Sequence, residues 1–80
     1  MTVVFNEHFT GRFQKAPQQI QKLFGKQLGF LLSDLRHPSL HAKIVDETKR
    51  IWQARVNGGW RFYFQIDGDT YKMVDIRPHD

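Results

Sequence analysis

Two spacings of apolar residues divide this chain. Ile20, Leu23, Phe24, Leu28, Leu31, Leu32 and Leu35 recur with helical period, and Lys22, Lys26 and Ser33 fall on the other side. This predicts a helix over 17–36. Pro17 suits its first turn, where a missing N–H is harmless. The residue before Pro38 is pushed out of the α region, so the helix should end near His37. Gly25 and Gly29 lie one turn apart, and each weakens a helix by about 1 kcal/mol against alanine. Close backbone approach, where an earlier helix crosses, is the expected compensation. From Ile51 the period becomes two. IWQARV, WRFYFQID and TYKMVDIR read as three strands, joined at NGG and DGD, both strong hairpin signals.

The flanking segments complete the order. TVVF at 2–5 is a β-branched run that fits a first strand. Asn6 offers a helix N-cap, and Phe9 and Phe13 at i, i+4 share one face of a helix that Gly11 should keep short. Residues 37–50 show no clear period. Leu40 and Ile44 can tuck against the core, and connections of this length are often functional. The order is then β-α-α-β-β-β, an α+β domain spanning 1–80, with an antiparallel sheet and a helical pair packed on one face.

Alternation assigns faces in that sheet. Trp52, Ala54, Val56, Trp60, Phe62, Phe64 and Ile66 belong on the helix-covered side, and Val74 and Ile76 share one side of the last strand. The open face then collects Gln53, Arg55, Arg61, Tyr63, Gln65, Asp75, Arg77 and His79, while Met73 falls with Asp75. Three arginines, a tyrosine and a histidine suit phosphate, because the guanidinium fork binds phosphate oxygens bidentately. Antiparallel sheets also routinely turn one polar face to water, and Asp75 can pair with Arg77 or Arg61.

Composition narrows the choice of chemistry. Without cysteine among its 80 residues, the chain has neither disulfides nor thiolate metal sites. Apolar runs are too short to span a bilayer. MTVVFNEHF lacks a signal-peptide pattern, so a cytoplasmic location is expected. Twelve Lys and Arg against eight Asp and Glu give a net charge of +4, which favours a polyanionic partner. A domain of this size buries only about 60% of its unfolded surface, so a site should be a surface groove. His37 and His41 lie four apart in HPSLH, but Pro38 interrupts any helix that would align them on a metal, and no further ligand cluster is evident. Two solvated loop histidines are the simpler reading. His8, in a first helical turn, reads as structural.

The segment IWQARVNGGWRFYFQI together with the terminal DIRPHD resembles the RelE/ParE superfamily of toxins from type II toxin–antitoxin systems, in its RelE/YoeB-like branch. The matched features are a Trp-x-x-Arg strand, a tight turn, an arginine opening the next hydrophobic strand, and a last strand ending in Arg with His two residues later. Leu40 and Lys43 sit where a family Leu/Lys pattern precedes that strand. The resemblance implies a metal-independent, cofactor-free endoribonuclease (an mRNA interferase) that inhibits translation by cutting mRNA on the ribosome. Arg61 and Arg77 would clamp the phosphate, His79 would be the general acid, and Arg55, Tyr63 and Lys43 would hold substrate. The YoeB-like glutamate base falls near Pro38 or Ser39 here, leaving His41 and Glu47 as candidates. The RelE-like lysines are replaced by Trp52 and Ala54, and the C-terminal tyrosine by Asp80. The partners implied are a cognate antitoxin protein, the ribosome and mRNA, with operator DNA bound only through the antitoxin and no membrane. A ParE-like gyrase-binding toxin and an inert antitoxin-binding module remain the alternatives.

Overall fold

A computed structural model describes residues 1–79. The order is β1 (Thr2–Phe5), α1 (Glu7–Lys15), α2 (Gln18–Ser33), β2 (Lys43–Asp46), β3 (Ile51–Asn57), β4 (Trp60–Asp67) and β5 (Thr70–Pro78), with a short 3-10 turn at Pro38–Leu40. The strands form one sheet in the order β1-β5-β4-β3-β2, with β1 parallel to β5 and the remaining pairs antiparallel. The expected α+β architecture is present, with one strand more than the patterning revealed. That strand, β2, is the four-residue edge segment KIVD, held to β3 through Lys43–Gln53 and Ile44–Trp52. Beyond it, the Asp46 carboxylate accepts the Lys49 N–H at 3.0 Å, and Gln65 on β4 donates to the Lys49 carbonyl at 2.8 Å.

The core lies between the helices and one face of the sheet. Phe9, Phe24, Leu31, Leu40, Phe62, Phe64, Met73 and Ile76 are all nearly inaccessible. Phe24 joins the layers, 5.2 Å from the Phe9 ring and 5.1 Å edge-on to Phe62. Burying each such side chain contributes about 1.5–3 kcal/mol. Tyr71 closes one end of this core, and its burial, reinforced by the Asp34 carboxylate, pushes the phenol above its ordinary pKa. No helix among the described residues is long and apolar enough to cross a membrane.

Three expectations are corrected. First, α2 stops at Ser33 rather than near His37. The Asp34 side chain takes the Arg36 N–H at 2.9 Å, and its backbone takes that of His37 at 2.9 Å. That side-chain turn diverts the chain before the proline is reached. Second, Gly25 and Gly29 are exposed, and an added Cβ at either would meet nothing within 4 Å, so no crossing helix explains them. Third, the register of β5 against β4 shifts between Met73 and Asp75. This bulge at Val74 places Met73 opposite Phe64 in the core and leaves Val74 half-buried. One extra residue in a strand reverses the alternation on either side of it.

The first helix behaves as its sequence suggests. Asn6 caps it by accepting the Phe9 N–H at 2.7 Å, and the Asn6 N–H donates to the Met73 carbonyl at 3.2 Å. α1 therefore continues from the end of β1 alongside β5. It turns Phe9 and Phe13 to the core, and His8 and Arg12 reach Asp75.

Candidate functional site

The strand register aligns the charged residues in rows across the open face. Arg55, Arg61 and Arg77 stand directly opposite one another on β3, β4 and β5. The next row is Lys43, Gln53, Tyr63 and Asp75. Like charges facing each other across strands are destabilising, so each arginine of such a row needs something to hold it. Arg61 is 6% exposed, and its Nη1 donates to three carbonyls of the hairpin turn: Asn57 at 2.8 Å, Trp60 at 3.1 Å and Gly58 at 3.3 Å. The Arg77 guanidinium lies over the Tyr63 ring, 4.6 Å from its centroid, with Nη1 3.6 Å from Asp75.

A groove of about 510 Å³ opens beside Arg61, lined by His41, Ala42, Lys43, Gln53, Arg55, Arg61 and His79. His41 ends the 3-10 turn in the left-handed conformation, φ 47°, which swings the chain from buried Leu40 into β2. His79 is fixed by its N–H to the Gly59 carbonyl at 2.8 Å. The lining combines three cations and two imidazoles, and no carboxylate occurs among its described residues. Cations there can stabilise charge building on a phosphate, and imidazoles can carry protons to and from its oxygens.

Five of the eight residues singled out from the sequence therefore meet in one groove: Arg61, Arg55, Lys43, His79 and His41. Arg77 and Tyr63 line an adjoining hollow of about 420 Å³, together with Gln53 and Asp75. Tyr63 does not offer an open ring for stacking: it is buried, with Arg77 over its ring, and its hydroxyl donates to Gln53 Oε1 at 3.1 Å. Glu47 sits in the turn after β2, at the far end of that strand from Lys43, and lines neither cavity. Asp80 lies outside the described residues. His37 and His41 do not share a helical face: His37 caps the start of the 3-10 turn and His41 ends it. His37 stacks on Phe30 at 3.9 Å, and its Nδ1 accepts the Ser39 N–H at 3.1 Å. Among the described residues no three His, Cys, Asp or Glu side chains gather as a metal site.

Two features were not anticipated. Asp75 is a hub: His8 Nε2 lies 3.2 Å from it and Arg12 Nε 3.4 Å, in addition to Arg77. Gln27 on α2 is 5% exposed and bonds both the 3-10 turn and β3. Its signal was available, because it sits on the same helical stripe as Ile20, Phe24 and Leu31, where an amide is out of place unless something pairs it.

No protein-family model and no curated protein matches the sequence. Solved structures do match. The YoeB/ParE toxin from Agrobacterium tumefaciens superposes with a TM-score of 0.82 at 12% identity, over 100% of both chains. A chain of the heterotetrameric YoeB–YefM toxin–antitoxin complex from Staphylococcus aureus gives 0.79 at 12% identity, over 100% of this chain and 98% of that one. A chain of the archaeal RelE–RelB complex from Pyrococcus horikoshii gives 0.77 at 15% identity, over 96% and 92%. At these identities the likeness establishes the fold, the one the sequence resemblance implied.

Proposed function

We propose that this chain, built on the fold of the YoeB and RelE toxins, is the toxin of a toxin–antitoxin pair and cleaves mRNA on the ribosome in the bacterial cytoplasm. The observation carrying this reading is the convergence of Lys43, Arg55, Arg61, His41 and His79 on one groove. In the reaction a ribose 2′-oxygen attacks the adjacent phosphorus as a base removes its proton. The P–O5′ bond breaks, an acid protonates the departing 5′-oxygen, and a 2′,3′-cyclic phosphate remains. His41 takes the role of base and His79 that of acid. Arg61, with Arg55 and Lys43, holds the phosphate oxygens as charge accumulates. Arg77 acts from the neighbouring hollow on the RNA backbone. An antitoxin would silence the groove by laying an acidic segment over it, and the pair would reach operator DNA through the antitoxin.

Inducing the chain without a partner tests this. Translation should stop and mRNA fragments should accumulate, with cyclic phosphate at their new ends. Growth arrest with intact mRNA and broken DNA would instead mark a gyrase-directed toxin. One observation favours a catalytically inert, antitoxin-binding module: Arg61 is buried and already engaged with the turn carbonyls. Normal growth and intact mRNA on induction would select that reading.

A further inference from the structure

The groove has two walls from different parts of the chain. One is the 3-10 turn and its exit, bearing His41 and Lys43. The other is the hairpin of β3 and β4, bearing Arg55 and Arg61. β2 pairs with β3 only as far as Lys43–Gln53. Beyond that point the backbone of β3 has no neighbouring strand on this edge among the described residues, and an unpaired buried carbonyl is costly. Gln27 fills the gap from α2. Its Nε2 donates one hydrogen to the Arg55 carbonyl at 2.9 Å and the other to the Ser39 carbonyl at 3.1 Å. Its Oε1 accepts the Ser39 hydroxyl at 2.9 Å. Carbonyls only accept, so the orientation of the amide is fixed. A single nitrogen thus ties the two walls together, from within the core and without touching the groove.

We propose that Gln27 is a positioning residue for the reaction assigned to this groove. By fixing the turn that carries His41 against the strand that carries Arg55, it sets the span across which a phosphate is gripped. The inference rests on the proposed function, because it needs the two walls to act on one substrate. A small misplacement of reacting groups lowers the rate at saturation far more than it weakens a binding surface spread over many contacts.

The test uses single-turnover cleavage of mRNA on programmed ribosomes. Gln27→Leu should lower the rate at saturating protein by about tenfold or more, with the half-saturating concentration within about twofold of wild type. Gln27→Glu keeps the acceptor for Ser39 but lacks both donors, and should resemble Gln27→Leu. Ser39→Ala removes one bond of the three and should cost only about two- to threefold. Folded fraction, read from amide NMR spectra, separates these effects from unfolding. A second arm needs no catalysis: a 2′-O-methylated oligonucleotide, which cannot be cleaved, is titrated while the His41 and Arg55 amides are followed. Both should report one affinity in the wild type, and the His41 response should be lost or weakened in Gln27→Leu. A folded Gln27→Leu protein with wild-type rate and a matched response at both walls overturns the inference. If wild type binds the oligonucleotide but cuts nothing, the nuclease reading falls while the titration still decides the role of Gln27. If the oligonucleotide does not bind the wild-type groove, both fall.

Discussion

The open face of the sheet has two ends that use the same side chains differently. Around Asp75, whose side chain is 15% exposed, one carboxylate gathers His8, Arg12 and Arg77. At the groove, Lys43, Arg55 and Arg61 stand with no carboxylate among the described lining residues, and Arg61 is held by backbone carbonyls instead. A carboxylate positions a cation and cancels its charge. A set of carbonyl dipoles positions the cation and leaves the charge in place. The first arrangement ties α1 to the edge of the sheet. The second keeps a positive field directed at whatever enters the groove.

Removing the groove's anchor should have the largest effect. Arg61→Ala is expected to lower ribosomal mRNA cleavage by roughly 10²–10³-fold, the scale for losing one charge-stabilising donor. The same change frees three turn carbonyls, so thermal denaturation should shift downward as well. Arg61→Lys keeps the charge without the fork and should fall between.

Gln53→Glu carries the Asp75 arrangement into the groove. The new carboxylate can still accept the Tyr63 hydroxyl, and folding should be preserved. It lines the groove, though, and a unit charge a few ångströms away is worth about 1 kcal/mol in water and several near a protein surface, so cleavage should drop at least about tenfold. An unchanged rate would mean that the absence of a carboxylate there has no functional weight.

Asp75→Asn removes the hub at the other end. Its partners are about half exposed, so screening limits the loss to roughly 1–2 kcal/mol in urea denaturation, shrinking as salt is raised. Cleavage should change by less than about threefold. If it falls as far as in Arg61→Ala, the two ends form one site and the contrast between them fails. The smallest effect, and one of opposite sign, belongs to α2. Gly25→Ala and Gly29→Ala add a methyl group into open space and should each stabilise by up to about 1 kcal/mol without altering cleavage.

Those glycines show where sequence reading stops. Their helical setting was legible, but the space around them was not, because it depends on where α1 packs. The Asn6 cap, the long helix, both hairpins and the alternation through β3 and β4 were all readable from local chemistry. β2 was not, since four residues at a sheet edge are too few to display a period, and it is defined by hydrogen bonds to β3. The bulge at Val74 was missed although the apolar positions of TYKMVDIR change phase between Met73 and Val74, the step at which Met73 pairs with Phe64 in the core. For the site, alternation correctly placed Arg55 and Arg61 together. The pairing of Asp75 with Arg77 was among the readings, but not that Arg77 would lie over the Tyr63 ring, nor that His41 rather than Glu47 would line the groove. The place of His41 turns on the 3-10 turn, which Gln27 bonds from a distant part of the chain.

The parallel pairing of β1 with β5 has a consequence in time. Synthesis delivers Thr2–Phe5 well before their sheet neighbours, Thr70–Met73. Contacts so far apart in sequence form slowly, and here they cannot form at all until the final strand has left the exit tunnel. β1 must therefore wait, unpaired, while both helices and the three intervening strands are made. Arg77 arrives with β5 and His79 just after it. A nascent chain of this design stays incomplete at both its edge and its groove until β5 and His79 have emerged.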